Sequence, residues 1–217
     1  MRYIAVITAD VVASRNILPK HRTKLYTDLE TFIAQLQTTK IITQYEFSRG
    51  DSFQCITNKN EQILKIALLL RCFIISYTYP RSSATYNHDV RMGIGVGQVD
   101  FLKKTSLAHS DGEAFYLSGG GLDNLKKMPY NLALKTYNHT FNQSIEPSIL
   151  LLDALMQAWT TNQAQTIFYL LQNFTEEEIA LKLKISQSAV NQRKKAANWY
   201  AVQKLLHYFQ NTVTNIS

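Results

Sequence analysis

The chain has 217 residues, a hydrophobic fraction of 46% and a formal net charge of +7. This composition is typical of a globular protein with a real core and excludes a disordered chain. The two cysteines, Cys55 and Cys72, lie in apolar segments and suit buried thiols, so a disulfide framework is excluded as well. The basic charge is compatible with an anionic partner, although charge alone does not identify nucleic acid.

The apolar segments do not predict a membrane protein. Asp10 interrupts the only N-terminal stretch that resembles a secretion signal. The most apolar later segment, residues 63–79, carries Lys65 and Arg71 at positions that would place charge inside a bilayer. We therefore expect a cytoplasmic protein without a membrane partner.

Residues 1–138 alternate between strand and helix patterns. The strand-like segments are short and β-branched, and the helical segments space apolar residues three and four positions apart. The turn "SRGD" between two strand-like runs predicts a β-hairpin. The predicted order is β-α-β-β-α-β-α-β, a ferredoxin-like sheet with an extension, whose helices cover one face. The strands are predicted at 2–9, 41–47, 52–57, 89–101 and 131–137, with helices at 21–37, between 60 and 80, and at 113–127.

Beyond about His139 only helix patterns remain. We therefore predict an α+β fold with a sheet domain at 1–138 and an all-helical segment at 139–217. Within that segment, Thr175 with Glu178 forms a capping-box pattern at the start of a short helix.

A second cap at Ser186 starts the next helix, so residues of about 175–197 are predicted to form a helix-turn-helix. The second helix combines amide side chains, which read adenine edges, with basic ones, which hold phosphates. A helical hairpin for dimerisation is the alternative, and a homodimer would also fit DNA half-sites. The predicted DNA-binding residues are Ser186, Gln187, Ser188, Asn191, Gln192, Arg193, Lys194 and Lys195.

Two acids stand at the ends of strand-like segments. Asp10 ends the first segment and Asp51 lies in the hairpin turn, so neighbouring strands would bring them together. Converging carboxylates need a cation, and oxygen ligands of this kind suit Mg²⁺ or Mn²⁺ held with substrate phosphates. The alternative is that Asp10 caps a turn and Asp51 only occupies a hairpin, where Asp is common.

Four segments, "ITADVVASR", "FSRGDSFQCI", "RMGIGVGQVD" and "DGEAFYLSGGGLDNLKK", follow one another in the order of the signature blocks of class III nucleotidyl cyclase domains. More closely, the chain resembles the SatD-like family, small bacterial cytoplasmic proteins that often end in a helix-turn-helix. The "GD-x-F" hairpin and the "DG-x-AF" block carry this resemblance, which covers roughly residues 1 to 130 and the tail.

The cyclase resemblance implies a metal and nucleotide site. Its metal ligands fall on Asp10 and Asp51, with the backbone carbonyl of Val11 as a third. The loop that ends at Ser14 would bind phosphate through its amides. Arg15 and Arg49 would contact phosphate, unless each is an ordinary surface arginine.

The chain departs from the cyclase pattern where catalysis depends on it. Tyr116 and Gly120 stand where cyclases carry an Asn and an Arg, and neither replaces an arginine opposite a developing negative charge. We therefore assign no catalytic residue. The preferred function is a DNA-binding regulator of transcription that couples a small anionic ligand, such as a nucleotide, to DNA. The alternative is a nucleotidyl cyclase or a related nucleotidyl transferase.

Overall fold

A computed structural model describes residues 2–48, 51–79, 86–103 and 105–216. None of the helices in these ranges combines the length and apolar character that a membrane crossing needs. The strands are β1 (Arg2–Val11), β2 (Gln44–Phe47), β3 (Ser52–Thr57), β4 (Val90–Val99) and β5 (Leu132–Thr136). The helices are α1 (Pro19–Thr38), α2 (Ile63–Ile75), α3 (Glu113–Leu125), α4 (His139–Gln157), α5 (Thr161–Leu171), α6 (Glu176–Leu183), α7 (Gln187–Ala196) and α8 (Trp199–Ile216).

The five strands form one sheet in the order β2-β3-β1-β4-β5. The central strand β1 pairs antiparallel with β3 and β4, and β5 joins β4 in parallel. With α1 and α2 as the connecting helices, the first four strands have the β-α-β-β-α-β order of a ferredoxin-like fold. The structure thus confirms the predicted α+β fold class.

Helices cover both faces of the sheet, so the prediction of one covered face was wrong. Side chains of β1 alternate, and Ala5 and Ile7 join the main core with α1 and α2, whereas Ile4 and Val6 face the opposite side with α3. Glycines in β4 let α3 approach closely. A Cβ at Gly95 would lie 2.2 Å from the carbonyl oxygen of Ala114. The glycines of β4 therefore leave a surface without side chains, against which the backbone of α3 packs closely.

The helical segment shares the main core of the sheet. Side chains of α4, α5 and α8, including Ile149, Ile167 and Phe209, belong to the same buried cluster as the strands. The α6–α7 pair has a small cluster of its own, formed by Ile179, Ala180 and Val190. The secondary structure therefore changes near residue 139 while the hydrophobic core continues across it.

Candidate functional site

The end of β1 meets the hairpin that joins β2 and β3. Asp10 lies opposite Ser52 in the sheet, and the Val11 amide donates to the Asp51 carbonyl at 3.1 Å. The Ser14 hydroxyl donates to the Asp51 carboxylate. The structure thus brings Asp10, Val11, Ser14 and Asp51 to one edge of the sheet, with the Asp51 side chain already engaged by a serine.

Asp10 sits in a partly buried and charged environment. Arg91 of β4 lies directly opposite it in the antiparallel pair. Burial raises the pKa of the Asp10 carboxyl, the Arg91 guanidinium opposes that rise, and the nearby Asp51 carboxylate adds to it. Asp10 Oδ1 and Arg91 Nε are both buried without a hydrogen bond in the described part of the chain. A hydrogen-bond acceptor on β1 and a hydrogen-bond donor on β4 are therefore both without a partner among the described residues.

Tyr26 of α1 approaches the same edge from the other side. Its hydroxyl is buried and lies near Ser14, but outside hydrogen-bonding geometry. Burial raises the pKa of the Tyr26 phenol, and the neighbouring Asp51 carboxylate raises it further. The phenol is therefore a neutral donor at physiological pH.

Of the two remaining predicted phosphate contacts, only Arg15 belongs to the described residues. Arg15 is exposed on the short 3-10 turn Ser14–Asn16, and Arg49 lies outside the described residues. Among described residues, no group of three or more His, Cys, Asp or Glu side chains is placed to hold a metal ion. A metal here would rest on two carboxylates, with its other ligands from backbone, water or a bound phosphate.

Sequence reasoning missed Arg91 and Tyr26. Arg91 had a usable signal, because it is a charged residue inside the otherwise apolar run "VRMGIGV". The sequence does not indicate that Asp10 lies opposite Arg91, because the β1–β4 pairing joins residues that are 81 positions apart in the chain. Tyr26 carried no signal beyond its place in α1.

The positions that depart from the cyclase pattern lie on the outer side of α3. Tyr116 is 68% exposed, and a Cβ at Gly120, one turn later, would meet no atom within 4 Å. The three successive glycines, Gly119, Gly120 and Gly121, lie within α3, so this segment is helical and does not form a phosphate-binding loop. Neither position supplies a positive charge to a bound phosphate.

The α6–α7 pair follows the predicted caps. Thr175 and Glu178 form the capping box, with the Thr175 amide donating to the Glu178 carboxylate at 2.7 Å. Lys184 adopts a left-handed conformation with φ of 54°, which ends α6. The Ser186 hydroxyl then accepts a hydrogen bond from the Ala189 amide and caps α7. Two short helices are thus joined by a tight turn.

The polar residues of α7 divide into two groups. Gln187, Ser188, Gln192 and Lys195 are exposed, as is the cap Ser186, and Arg193 is half-buried. By contrast, Glu176 of α6 accepts hydrogen bonds from Lys194 at 2.7 Å and from Asn191 at 3.3 Å. This contact lowers the pKa of the Glu176 carboxyl. Two of the predicted DNA-binding side chains are therefore occupied within the protein.

The sequence model of the SatD family matches residues 3–211. The chain belongs to the SatD family. This match confirms the family resemblance, and it spans both the sheet and the helical segment of this SatD-family chain. Among curated proteins, no significant match is found.

Solved structures with a similar fold include three cyclases. A bacterial light-regulated adenylyl cyclase has 13% identity and a TM-score of 0.47, covering 61% of this chain and 75% of that one. The adenylyl cyclase CyaB from P. aeruginosa has 12% identity and a TM-score of 0.46, with coverages of 67% and 81%. The active GGEEF domain of a diguanylate cyclase from Vibrio cholerae has 15% identity and a TM-score of 0.43, with coverages of 64% and 85%. Similarity at this level supports no inference about activity.

Proposed function

We propose that this chain is a DNA-binding regulatory protein of the cytoplasm, with α7 as its recognition helix. The observation that carries the proposal is the two-sided character of α7. Val190 is fully buried against Ile179 and Ala180, while Gln187 and Gln192 face solvent. A helix whose inner side is held by an apolar cluster, with amides on its exposed side, suits insertion into a major groove.

The contacts of Glu176 assign different roles to the polar residues of α7. Gln187 and Gln192 are free to meet base edges, and Lys195 and Arg193 to meet phosphates, whereas the Ser188 hydroxyl shares a hydrogen bond with Ser186 at 2.9 Å. Asn191 and Lys194 would have to leave Glu176 before they bind DNA. A homodimer would present two α7 helices to successive half-sites.

Salt dependence of duplex binding tests the proposal. We expect the wild-type protein to bind duplex DNA of random sequence, with affinity falling steeply between about 50 and 200 mM salt because counterions are released. An Arg193→Ala, Lys195→Ala double variant should lower the salt slope by about two, about one for each lost phosphate contact. Lys204→Ala, an exposed lysine of α8, is the matched control and should leave the slope unchanged.

Gln192→Ala should instead weaken binding to a duplex selected from the random pool more than binding to the unselected pool. Absence of binding at 50 mM salt, or an unchanged slope in the double variant, would contradict the assignment of α7.

A second candidate function is nucleotide binding at the end of β1, supported by the open Oδ1 atom of Asp10. Asp10, Asp51 and the Val11 carbonyl would hold Mg²⁺ or Mn²⁺, which would neutralise the phosphates of the nucleotide. Arg91, whose Nε is also open, would add a donor to a phosphate oxygen. This arrangement supports binding more than turnover, since Tyr116 and Gly120 bring no positive charge.

Calorimetric titration of ATP and GTP with Mn²⁺ tests this second function. Binding should be lost in an Asp10→Asn, Asp51→Asn double variant, and the recovered nucleotide should be unchanged. Conversion to a cyclic product would instead identify the chain as a nucleotidyl cyclase. Equal binding by wild type and variant would contradict the metal assignment, with no bearing on α7.

A further inference from the structure

A cavity of about 560 Å³ lies between α1, α2 and the C-terminal end of α5. Its lining shares no residue with the β1 edge or with α7. The volume falls within the range of pockets that hold small organic ligands. The cavity is therefore large enough for a ligand at a place where no function has been assigned.

The base of this cavity is apolar and comes from all three helices. Leu36 of α1, Ile66 and Leu69 of α2, and Leu171 of α5 line it, and each is at most 5% exposed. Because these side chains are held by the main core, the base is preformed and does not depend on the ligand. Such a surface suits the apolar body of a ligand.

One half-buried cation lines the same cavity. Lys65 of α2 has no hydrogen bond or ion pair to any residue in the described ranges, and burial lowers the pKa of its amine. Lys59, by comparison, is exposed, and the half-buried Glu61 of the same lining forms no ion pair with Lys65. An unpaired, partly desolvated ammonium beside an apolar base costs free energy that an anionic ligand would offset.

We propose that this cavity binds a small organic monoanion, with its carboxylate on Lys65 and its apolar body against Leu36 and Leu171. The charges favour a single negative charge, because Lys65 is a half-buried cation of the lining and the Glu61 carboxylate belongs to the same lining. A phosphate monoester carries about two negative charges at neutral pH and would meet repulsion from Glu61. The ligand class is therefore an aliphatic or aromatic carboxylate.

The wall of the cavity also includes the connection to α6. Gln172 and Asn173 line it directly after α5, and Asn173 adopts a left-handed conformation with φ of 66° just before the Thr175 cap. An occupant would thus contact the segment that leads into the α6–α7 pair. The ligand site itself does not depend on whether that pair binds DNA.

Titration calorimetry with octanoate, octanol and octyl phosphate tests the proposal. Octanoate should bind at least tenfold more tightly than octanol and more tightly than octyl phosphate. In Lys65→Met, which keeps the length and apolar stem of the side chain, octanoate affinity should fall at least tenfold while octanol affinity is unchanged. Lys59→Met is the matched control and should retain wild-type affinity for octanoate.

The Lys65→Met variant is expected to fold, because it removes a half-buried charge and should melt at or above the wild-type temperature without ligand. Octanoate binding no tighter than octanol, or equally tight in Lys65→Met, would overturn the site. Tighter binding of octyl phosphate would overturn the assignment to carboxylates.

Discussion

Replacing Asp153 by asparagine tests whether a buried charge network joins the helical segment to the sheet. Arg71 of α2 is 0% exposed and donates to Asp89, just before β4, and to Asp153 of α4. Asp153 is likewise 0% exposed. The three residues come from both sides of residue 139, so the network belongs to the shared core.

The expected cost follows from the hydrogen bonds that Asp153 accepts. Besides Arg71, they come from the Asn131 amide at 3.1 Å and the Gln157 side chain at 2.7 Å. An asparagine offers one acceptor oxygen and turns the other position into a donor, so at least one buried donor is left unpaired, at about 1–3 kcal/mol. Losing the charge that compensates Arg71 adds to this, and breaking a buried pair costs about 3–5 kcal/mol in all.

Urea unfolding followed by circular dichroism measures this difference. The matched control is Asp123→Asn, the same substitution in an exposed ion pair with Lys126, for which about 0.2–1 kcal/mol is expected. Both variants should unfold in a single transition, because the sheet and α4, α5 and α8 share one core. A cost for Asp153→Asn within about 1 kcal/mol of the control would refute the reasoning.

Other substitutions test the packing of α3 and the buried histidine. Gly95→Ala should destabilise the fold by about 3 kcal/mol, because the new Cβ would lie 2.2 Å from backbone. Gly119→Ala, with open space around it, should stabilise α3 by about 0.5–1 kcal/mol in the same urea assay. Burial lowers the pKa of His88 to about 4. The folding stability that the neutral imidazole contributes is therefore present above pH 6.5 and is lost as the pH falls toward 4. Between pH 7.5 and 4.5 the wild type should lose about 2 kcal/mol more stability than His88→Gln, and an equal loss would contradict this assignment.

The parts of the fold that follow from local patterns were predictable from the sequence. The β-α-β-β-α-β-α-β order, the capping box at Thr175 and the cap at Ser186 each depend on residues close together in the chain. The meeting of β1 with the hairpin at Asp51 followed from the same order. Short-range periodicity and capping therefore account for most of the element assignments.

Features that depend on pairing distant segments were not predictable. The glycines at 93, 95 and 97 indicate that another backbone or a ligand comes close to β4, and α3 does so, but they do not indicate which helix packs there or on which face. The position of Arg91 opposite Asp10 depends on a register between β1 and β4. The cavity at Lys65 depends on three helices from different parts of the chain. Neither the register nor the cavity has a signature within a single window of sequence.

The Asp10–Arg91 pair also bears on the proposed nucleotide site at the end of β1. An isolated, partly buried carboxylate would require a cation for stability, but Arg91 already supplies a positive charge beside Asp10. Asp10 Oδ1 and Arg91 Nε nevertheless remain unpaired, although the two residues are direct neighbours. A charged pair that leaves one acceptor and one donor open is complementary to a metal-bound phosphate, which offers a cation to the carboxylate and oxygens to the guanidinium. Since both charges are present without a ligand, each partly compensates the other when the site is empty, and a bound ligand would add the two missing hydrogen-bond partners.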